Sequence, residues 1–249
     1  MPIRLGPREQ AASASRIVSV EKDNGLRKSN VTSIVLDCAP AAGRIIRSDA
    51  CVSEGADWLA NHDDRFAQAL DLCGPLPLRR KPDGFAELLS AIVSQQVSVA
   101  SARAIWQRLQ DAGLTCEVAV LAKTEEELRG IGLSRQKAKY ARALAGAGID
   151  FNALRDAPTE NVIKTLTQVS GIGVWTAEIY AMFSLGRADV FAPGDLALQE
   201  AARVLFALEE RPKERALREM AKDWSPWRSV AARILWAYYH VAKDREGIR

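Results

Sequence analysis

The sequence predicts an all-α fold, and three observations support this prediction. From Gly55 onward, apolar residues recur at the helical period almost throughout, and alternation with a period of two is nearly absent. Candidate helix starts and stops follow one another closely, which indicates short connections between the helices. Hydrophobic residues make up 48% of the 249 residues and charged residues 26%, so the chain can bury a sizeable core.

The predicted helices follow one another along most of the chain. One or two helices lie around Trp58 to Leu70, and the next covers 85–93 before an interruption at 94–98. Thr124, followed by three glutamates, has the pattern of an N-cap with an acidic first turn. The other predicted helices cover 100–109, 134–144, 159–169, 174–185, 195–208, 213–224 and 226–242.

Residues 1–45 differ from the rest of the chain in composition. They are rich in Ala, Ser, Arg and Lys with little helical periodicity, so we interpret them as a flexible N-terminal extension. Residues 31–36 have the pattern of a short strand without an evident partner. The start has no apolar signal-peptide core, and Glu9, Glu21 and Asp23 argue against a transit peptide.

Composition excludes several classes of protein. The cysteines form no CxxC pair and the two histidines are solitary, which argues against a disulfide framework and a metal centre. No apolar run is long enough to cross a bilayer, so an integral membrane protein is not expected. The formal net charge of +3 permits nucleic-acid binding without indicating it strongly. The cysteines are Cys38, Cys51, Cys73 and Cys116.

Two Gly-Ile-Gly segments each lie between predicted helices. In the second, backbone N–H groups of Gly171, Ile172 and Gly173 can approach a phosphate, and the helix start near Thr176 adds its positive dipole end. The first segment, at 130–132, has two interpretations: a helix C-cap with a turn, or a further DNA backbone contact.

Asp195 is the carboxylate that follows the second hairpin, after one whole helix and a loop. It can N-cap the helix that begins behind it. The same carboxylate could activate water or stabilise a cationic transition state beside a bound phosphate backbone, and the two roles are compatible.

These motifs carry a specific resemblance. The runs LTQVSGIGVWTA (166–177) and DVFAPGD (189–195) resemble the helix-hairpin-helix and Gly/Pro, Asp signature of the base-excision DNA glycosylase superfamily. SAIVSQQVS (90–98) and SPWRS (225–229), running on to Leu235-Trp236, are similar to blocks of its alkylbase branch, the DNA-3-methyladenine glycosylase II family.

The resemblance covers about residues 46–249 and implies a fold. That fold is a compact, two-lobed helical domain with the active-site cleft between the lobes. The hairpin would cover 161–186 and the catalytic loop 189–196. The family has an additional β-rich N-terminal domain that residues 1–45 are too short to supply, so the chain resembles a compact form.

The resemblance also implies a reaction. It is hydrolysis of the N-glycosidic bond of alkylated purines such as 3-methyladenine and 7-methylguanine. Asp195 matches the catalytic carboxylate, which stabilises an oxocarbenium-like transition state. Trp175 stands where members that also cut the strand carry a Schiff-base lysine, which implies a monofunctional enzyme without AP lyase activity. No cysteine cluster near the C-terminus matches the iron–sulfur members.

A flipped nucleotide needs a pocket, and the vacated stack needs a wedge. Trp175 and Trp236 match aromatic pocket positions, with Tyr180 as a further candidate, since aromatic faces hold a cationic base. Core packing is the alternative role of each tryptophan. Gln95 and Gln96 match the wedge segment, with Gln96 in place of the family's leucine, and could instead cap a helix kink.

The implied partner is double-stranded damaged DNA, bound by a monomer in the bacterial cytoplasm at the nucleoid and without a membrane. No cofactor is expected for catalysis, but a monovalent cation is expected at the hairpin when DNA is bound. Two alternatives remain open. One is a glycosylase for another lesion, such as uracil or a deaminated purine, and the other is a non-catalytic DNA-binding module that uses only the hairpin.

Overall fold

A computed structural model of the protein describes residues 42–245. All of them lie in the compact unit Ala39–Arg249. The predicted flexible extension, apart from 42–45, and the predicted strand at 31–36 fall outside the described residues. Residues 42–45 contact the helical domain: Ala188 N donates to Arg44 O, and Ile45 forms an isolated antiparallel bridge with Arg187.

The described residues form thirteen α-helices and one 3₁₀ helix, and no strand occurs among them. The predicted all-α class is therefore confirmed. None of these helices is long and apolar enough to span a bilayer. The helices are α1 Asp49–His62, α2 Asp64–Cys73, α3 Phe85–Ser94, α4 Val99–Asp111, α5 Glu117–Leu121, α6 Glu125–Gly130, α7 Arg135–Gly146, α8 Phe151–Asp156, α9 Thr159–Thr167, α10 Val174–Phe183, α11 Leu196–Leu205, α12 Glu214–Met220, the 3₁₀ helix Ala221–Trp224, and α13 Arg228–Arg245.

Local signals set most helix ends where the sequence predicts them. Thr124 accepts from Glu127 N while the Glu127 side chain accepts from Thr124 N, which makes a complete capping box for α6. The predicted interruption after α3 is a short loop before Ser98 caps α4. Sequence periodicity missed α5 and α8, because five or six residues are too few to display a helical period.

The helices pack in two sets. Helices α3 to α7 pack on one another, and Leu88 and Ile92 of α3 and Ala138 and Ala141 of α7 are fully buried. Helices α1, α2, α11, α12 and α13 form the other set, in which α13 contributes an almost continuous buried run at 230–235. Helix α9 packs against α10 as a hairpin. This grouping agrees with the predicted two-lobed arrangement.

Two buried charged groups hold α10 and the chain that follows it. Arg187 donates to the carbonyl oxygens of Ala42, of Leu154 and Arg155 in α8, and of Ala157, which directly follows α8. Glu178 in the middle of α10 is 1% exposed and accepts from Arg218 of α12 at 2.8 Å. Burial raises the pKa of Glu178, and the Arg218 guanidinium opposes that shift. These contacts fix the helix that carries Trp175.

Candidate active site

The hairpin between α9 and α10 requires glycine at one position for steric reasons. Gly171 has a φ of +97°, and a Cβ atom there would lie 2.4 Å from the Tyr140 ring of α7. Ile172 is 4% exposed and its N–H donates to Val169 O, so this predicted backbone donor already has a partner. Gly171 and Ile172 therefore shape the turn and anchor it to the core.

Gly173 has a different environment. It is exposed, has an ordinary φ of −85°, and a Cβ atom there would meet nothing within 4 Å. It is the N-cap residue of α10, and no side chain caps that helix start. The N–H groups of the first turn are therefore available to an anion in front of Gly173. The Thr176 side chain is buried in this turn, so its contribution to such a site would come from the backbone.

Asp195 caps α11, which is one of its two predicted roles, and its carboxylate also contacts Trp175 of α10. Its Oδ1 accepts from Ala197 N at 2.9 Å and Leu198 N at 3.1 Å, which caps α11. Its Oδ2 accepts from the indole Nε1 of Trp175 at 3.1 Å. All three partners are donors, so the carboxylate is held in one orientation as an acceptor, next to the start of α10.

The loop that carries Asp195 is itself held at both ends. Gln199 of α11 donates to Pro193 O at 2.8 Å. At the other end, Arg228 at the start of α13 donates to both carboxylate oxygens of Asp189, at 2.6 and 2.9 Å. A rigid loop of this kind keeps the Asp195 carboxylate in place without help from a ligand.

A cavity of about 470 Å³ lies between α3 and α10. We refer to it as the α3–α10 cavity. Its walls include the predicted pocket residues Trp175 and Tyr180, and also Thr176, Gln95 and Gln96. Its volume is in the range of small-molecule sites. Asp195 is not among the lining residues and reaches the wall through Trp175.

Trp236 is not brought to this cavity. Its ring packs against Phe183 with the centroids 5.7 Å apart, on the core of the described domain. Trp175 lines the cavity and is 47% exposed, whereas Trp236 is partly buried and is not among the lining residues. Core packing, the alternative role, describes the position of Trp236.

Tyr180 lies deep in the cavity wall and is almost fully buried. Its hydroxyl oxygen accepts from Gly84 N at 2.8 Å, which joins α10 to the residue that precedes α3. Burial raises the pKa of Tyr180 to about 12. The Tyr180 phenol therefore lines the cavity in its neutral, protonated form at ordinary pH.

The predicted wedge residues lie in the short loop 95–98 between α3 and α4, at the cavity edge. Gln95 Nε2 donates to Gly171 O at 2.9 Å, which ties this loop to the hairpin. Gln96 is exposed and has a φ of +54°, a conformation that costs a non-glycine residue free energy. Lys137, whose pKa is lowered by burial, donates to Val93 O at 2.6 Å and supports the end of α3.

Sequence reasoning missed two charged residues of the cavity, Lys81 and Glu87. Both line it, and Lys81 Nζ lies 2.7 Å from Glu87 Oε1. A signal was available for Glu87: counting back along α3 from Gln95 in steps of four gives Ala91 and Glu87, which share one helix face. Lys81 lies outside any helix, so no periodicity could place it.

The first Gly-Ile-Gly segment lies between α6 and α7. Arg108 of α4 donates to Ile131 O at 2.6 Å, and a Cβ atom at Gly132 would lie 2.4 Å from the Arg108 guanidinium. The φ of +117° at Gly132 accounts for the glycine, as the C-cap and turn interpretation expects. Among residues 42–245, no cluster of three or more His, Cys, Asp or Glu could hold a metal ion, and Cys51, Cys73 and Cys116 are free thiols.

Comparison with known proteins places this geometry in a family. The family described as HhH-GPD superfamily base excision DNA repair protein matches residues 89–226, more than half of the chain. DNA-3-methyladenine glycosylase 2 of Escherichia coli is 27% identical over 168 residues, or 62% of this chain and 57% of that protein. The chain likewise spans 56% of the length of a Bacillus subtilis relative.

Solved structures agree. A DNA-3-methyladenine glycosidase from Bacillus halodurans superposes with a TM-score of 0.70 at 33% identity, covering 81% of this chain and 94% of that one. The 3-methyladenine DNA glycosylase Mag1 of Schizosaccharomyces pombe, in complex with abasic DNA, superposes with a TM-score of 0.64 at 27% identity, over 74% of this chain and 95% of that one. The resemblance identified in the sequence is thereby confirmed, and the chain belongs to the HhH-GPD superfamily of base excision DNA repair proteins.

Proposed function

We propose that this protein is a monofunctional DNA glycosylase that removes alkylated purines, such as 3-methyladenine and 7-methylguanine, from double-stranded DNA. The observation that supports it most is the Asp195 carboxylate, hydrogen-bonded to Trp175 at the edge of the α3–α10 cavity and beside the open N-terminus of α10. Several relatives are named as DNA-3-methyladenine glycosylases, and the Mag1 structure contains abasic DNA.

The proposed chemistry follows from a fixed negative charge. Departure of the base leaves positive charge on the deoxyribose, and a carboxylate already oriented by three donors stabilises it without reorganisation. The same carboxylate can orient or deprotonate the water that attacks the sugar. Alkylation makes the purine cationic and a good leaving group, so little acid catalysis of its departure is needed.

The proposed substrate class rests on the cavity walls. Trp175 has an exposed indole face at the cavity, and Tyr180 lines it as a neutral phenol. A cationic base stacked on such a ring gains about 0.5–2 kcal/mol. Trp175 also stands at the position where a lyase would need its amine nucleophile, so we infer that the strand stays intact after base removal.

Binding of the duplex is assigned to the hairpin and to the loop 95–98. The exposed Gly173 and the uncapped start of α10 would hold a phosphate, and Gln96 would fill the stack left by the flipped nucleotide. A monovalent cation would sit on hairpin carbonyl oxygens. Those of Val169 and Gly171 each already accept one hydrogen bond, which leaves a second lone pair for the ion. We expect a monomer to act at the bacterial nucleoid.

The test is a base-release assay on duplexes that carry single lesions. We expect release of 3-methyladenine and 7-methylguanine, and a product strand that breaks only after alkali treatment. If the protein released only uracil or a deaminated purine, the proposed substrate class would be wrong. Spontaneous strand cleavage would contradict the monofunctional assignment, and DNA binding without release of any base would leave only a binding module.

A further inference from the structure

The α3–α10 cavity contains a carboxylate that the proposed reaction does not use. Glu87 lies in the first turn of α3 and lines the cavity together with Trp175 and Tyr180. Its side chain is 19% exposed, and its Oε1 lies 2.7 Å from Lys81 Nζ. A negative charge therefore stands in the wall of the same cavity as the aromatic rings.

The two members of this ion pair differ in how firmly they are held. The Lys81 side chain is 53% exposed, whereas Glu87 is enclosed by the cavity wall. The Lys81 backbone is fixed, since its N–H donates to Phe183 O at 3.1 Å, but the long side chain can turn out into solvent. A pair with one exposed member contributes little to stability, so separating it costs little as long as water reaches the freed carboxylate.

We propose that Glu87 is a specificity-determining residue that selects positively charged bases, with Lys81 as the counter-ion that the base displaces. This inference rests on the proposed function, because it takes the α3–α10 cavity as the site of the flipped base. A cationic purine replaces the ammonium charge of Lys81 beside the carboxylate, and the displaced ammonium group regains its hydration.

The same exchange disfavours an undamaged or neutral base. Such a base would separate Glu87 from Lys81 and bring no positive charge of its own, so the carboxylate would lose its ion-pair partner while the bound base shields it from water. Discrimination between bases then arises from a cost imposed on the wrong occupant as well as from attraction to the right one. An ionised carboxylate only accepts hydrogen bonds, which also suits the amino groups on purine edges.

Two variants that break the same ion pair test this inference. Glu87→Gln removes the carboxylate and keeps its shape, and Lys81→Met removes the competing cation and keeps most of its stem. Single-turnover release of 7-methylguanine, which is cationic in DNA, is compared with release of neutral hypoxanthine. We expect Glu87→Gln to slow 7-methylguanine release about fivefold, the upper range for a partly exposed charge pair, while hypoxanthine release does not fall. We expect Lys81→Met to release 7-methylguanine at least as fast as the wild type.

The opposite directions of the two effects separate selection from a structural role. A purely structural ion pair predicts that both variants lose activity together, and that result would overturn the inference. It would also be overturned if Glu87→Gln left the 7-methylguanine rate unchanged while the wild type was active. Failure of the wild type to release any base would instead refute the proposed function, and this inference with it.

Discussion

At the scale of single residues, the hydrogen bond from Trp175 Nε1 to Asp195 Oδ2 joins the cavity to the proposed catalytic loop. The sequence predicts each residue separately, through the hairpin motif and the loop behind it. It cannot predict their contact, because that depends on how α10 and α11 are held by Glu178, Arg187 and Arg228. The indole is thus both a wall of the cavity and a support for the carboxylate.

A Trp175→Phe variant separates these two contributions. Phenylalanine keeps an aromatic face but has no N–H, so Asp195 Oδ2 loses its donor while the cap on α11 remains. We expect the single-turnover rate of 7-methylguanine release to fall about tenfold, as for loss of one oriented hydrogen bond to a charged group. Affinity for undamaged duplex, measured in parallel, should stay unchanged. An unaltered rate would mean that the indole N–H does not position the carboxylate.

The surroundings of the Glu87 and Trp236 side chains could not be predicted from the sequence. Trp236 matches a family motif, but its ring packs on Phe183 because α13 places it there. Glu87 belongs to no motif and enters the cavity only through the face it shares with Gln95. Motifs identify residue types at fixed spacing, whereas the direction of a side chain depends on the packing of its helix.

At the scale of elements, the two glycines of the α9–α10 hairpin have different roles. Gly171 shapes the turn, whereas Gly173 lies where a DNA phosphate would bind. Gly171→Ala would place a Cβ atom 2.4 Å from the Tyr140 ring at a φ of +97°. We expect a loss of about 1–3 kcal/mol in the free energy of unfolding, measured by chemical denaturation.

Gly173→Ala is the matched control within the same hairpin. Its backbone is ordinary and no atom lies within 4 Å of the added Cβ, so the free energy of unfolding should fall only by the cost of alanine at an N-cap, no more than about 1 kcal/mol. Duplex affinity should instead decrease, since the methyl group stands where a phosphate would approach. Equal stability of the two variants would contradict this division of roles.

The loop 95–98 is the second element with a testable role. Gln96→Gly removes the proposed wedge and relieves the positive φ, so the folded state should not be weakened. We expect base release from duplex DNA to slow about tenfold, because flipping a stacked base costs a few kcal/mol. Release from methylated single strands, in which no stack must be filled, should be unaffected. Equal slowing on both substrates would argue against a wedge.

The sequence predicts elements well where they are long or bounded by caps. The capping box at Thr124 gives the start of α6, and the pattern over 85–93 gives both ends of α3 to within one residue. The short helices α5 and α8 are not predicted, because five or six residues are too few to display a helical period. The positive φ of Gln96 is likewise a consequence of how two helices meet.

At the scale of the whole molecule, the buried Tyr180 makes stability depend on alkaline pH. Its pKa is raised from 10.0 to about 12, so the unfolded chain loses the phenolic proton before the folded protein does. The stability that Tyr180 contributes is therefore complete below about pH 10 and is lost as the pH rises toward about 12, with a maximum loss of about 3 kcal/mol.

Tyr180→Phe provides the comparison. At neutral pH the variant should be less stable by about 1 kcal/mol, because Gly84 N–H loses its acceptor. The variant has no phenol to ionise, so the difference from the wild type should shrink in denaturation curves recorded toward about pH 11. A difference that stays constant with pH would contradict the assigned pKa.

The fold class and the family could be predicted from helical periodicity and ordered motifs, and both are confirmed. The helices pack in two sets, which agrees with the predicted two lobes. The cavity could not be derived, since its wall combines α3, α10 and the segment around Lys81, which are far apart in sequence. The site is thus a property of the packed molecule more than of any one motif.

We propose that the Asp195 carboxylate performs the chemistry, and the Asp195→Asn variant provides the sharpest test of this role. Asparagine caps a helix as well as aspartate does, so α11 should keep its acceptor for Ala197 and Leu198 N–H, and folding should be preserved. We predict that single-turnover release of 7-methylguanine falls about a hundredfold or more, with unfolding and duplex affinity unchanged. Release at the wild-type rate would show that the Asp195 carboxylate does not perform the chemistry.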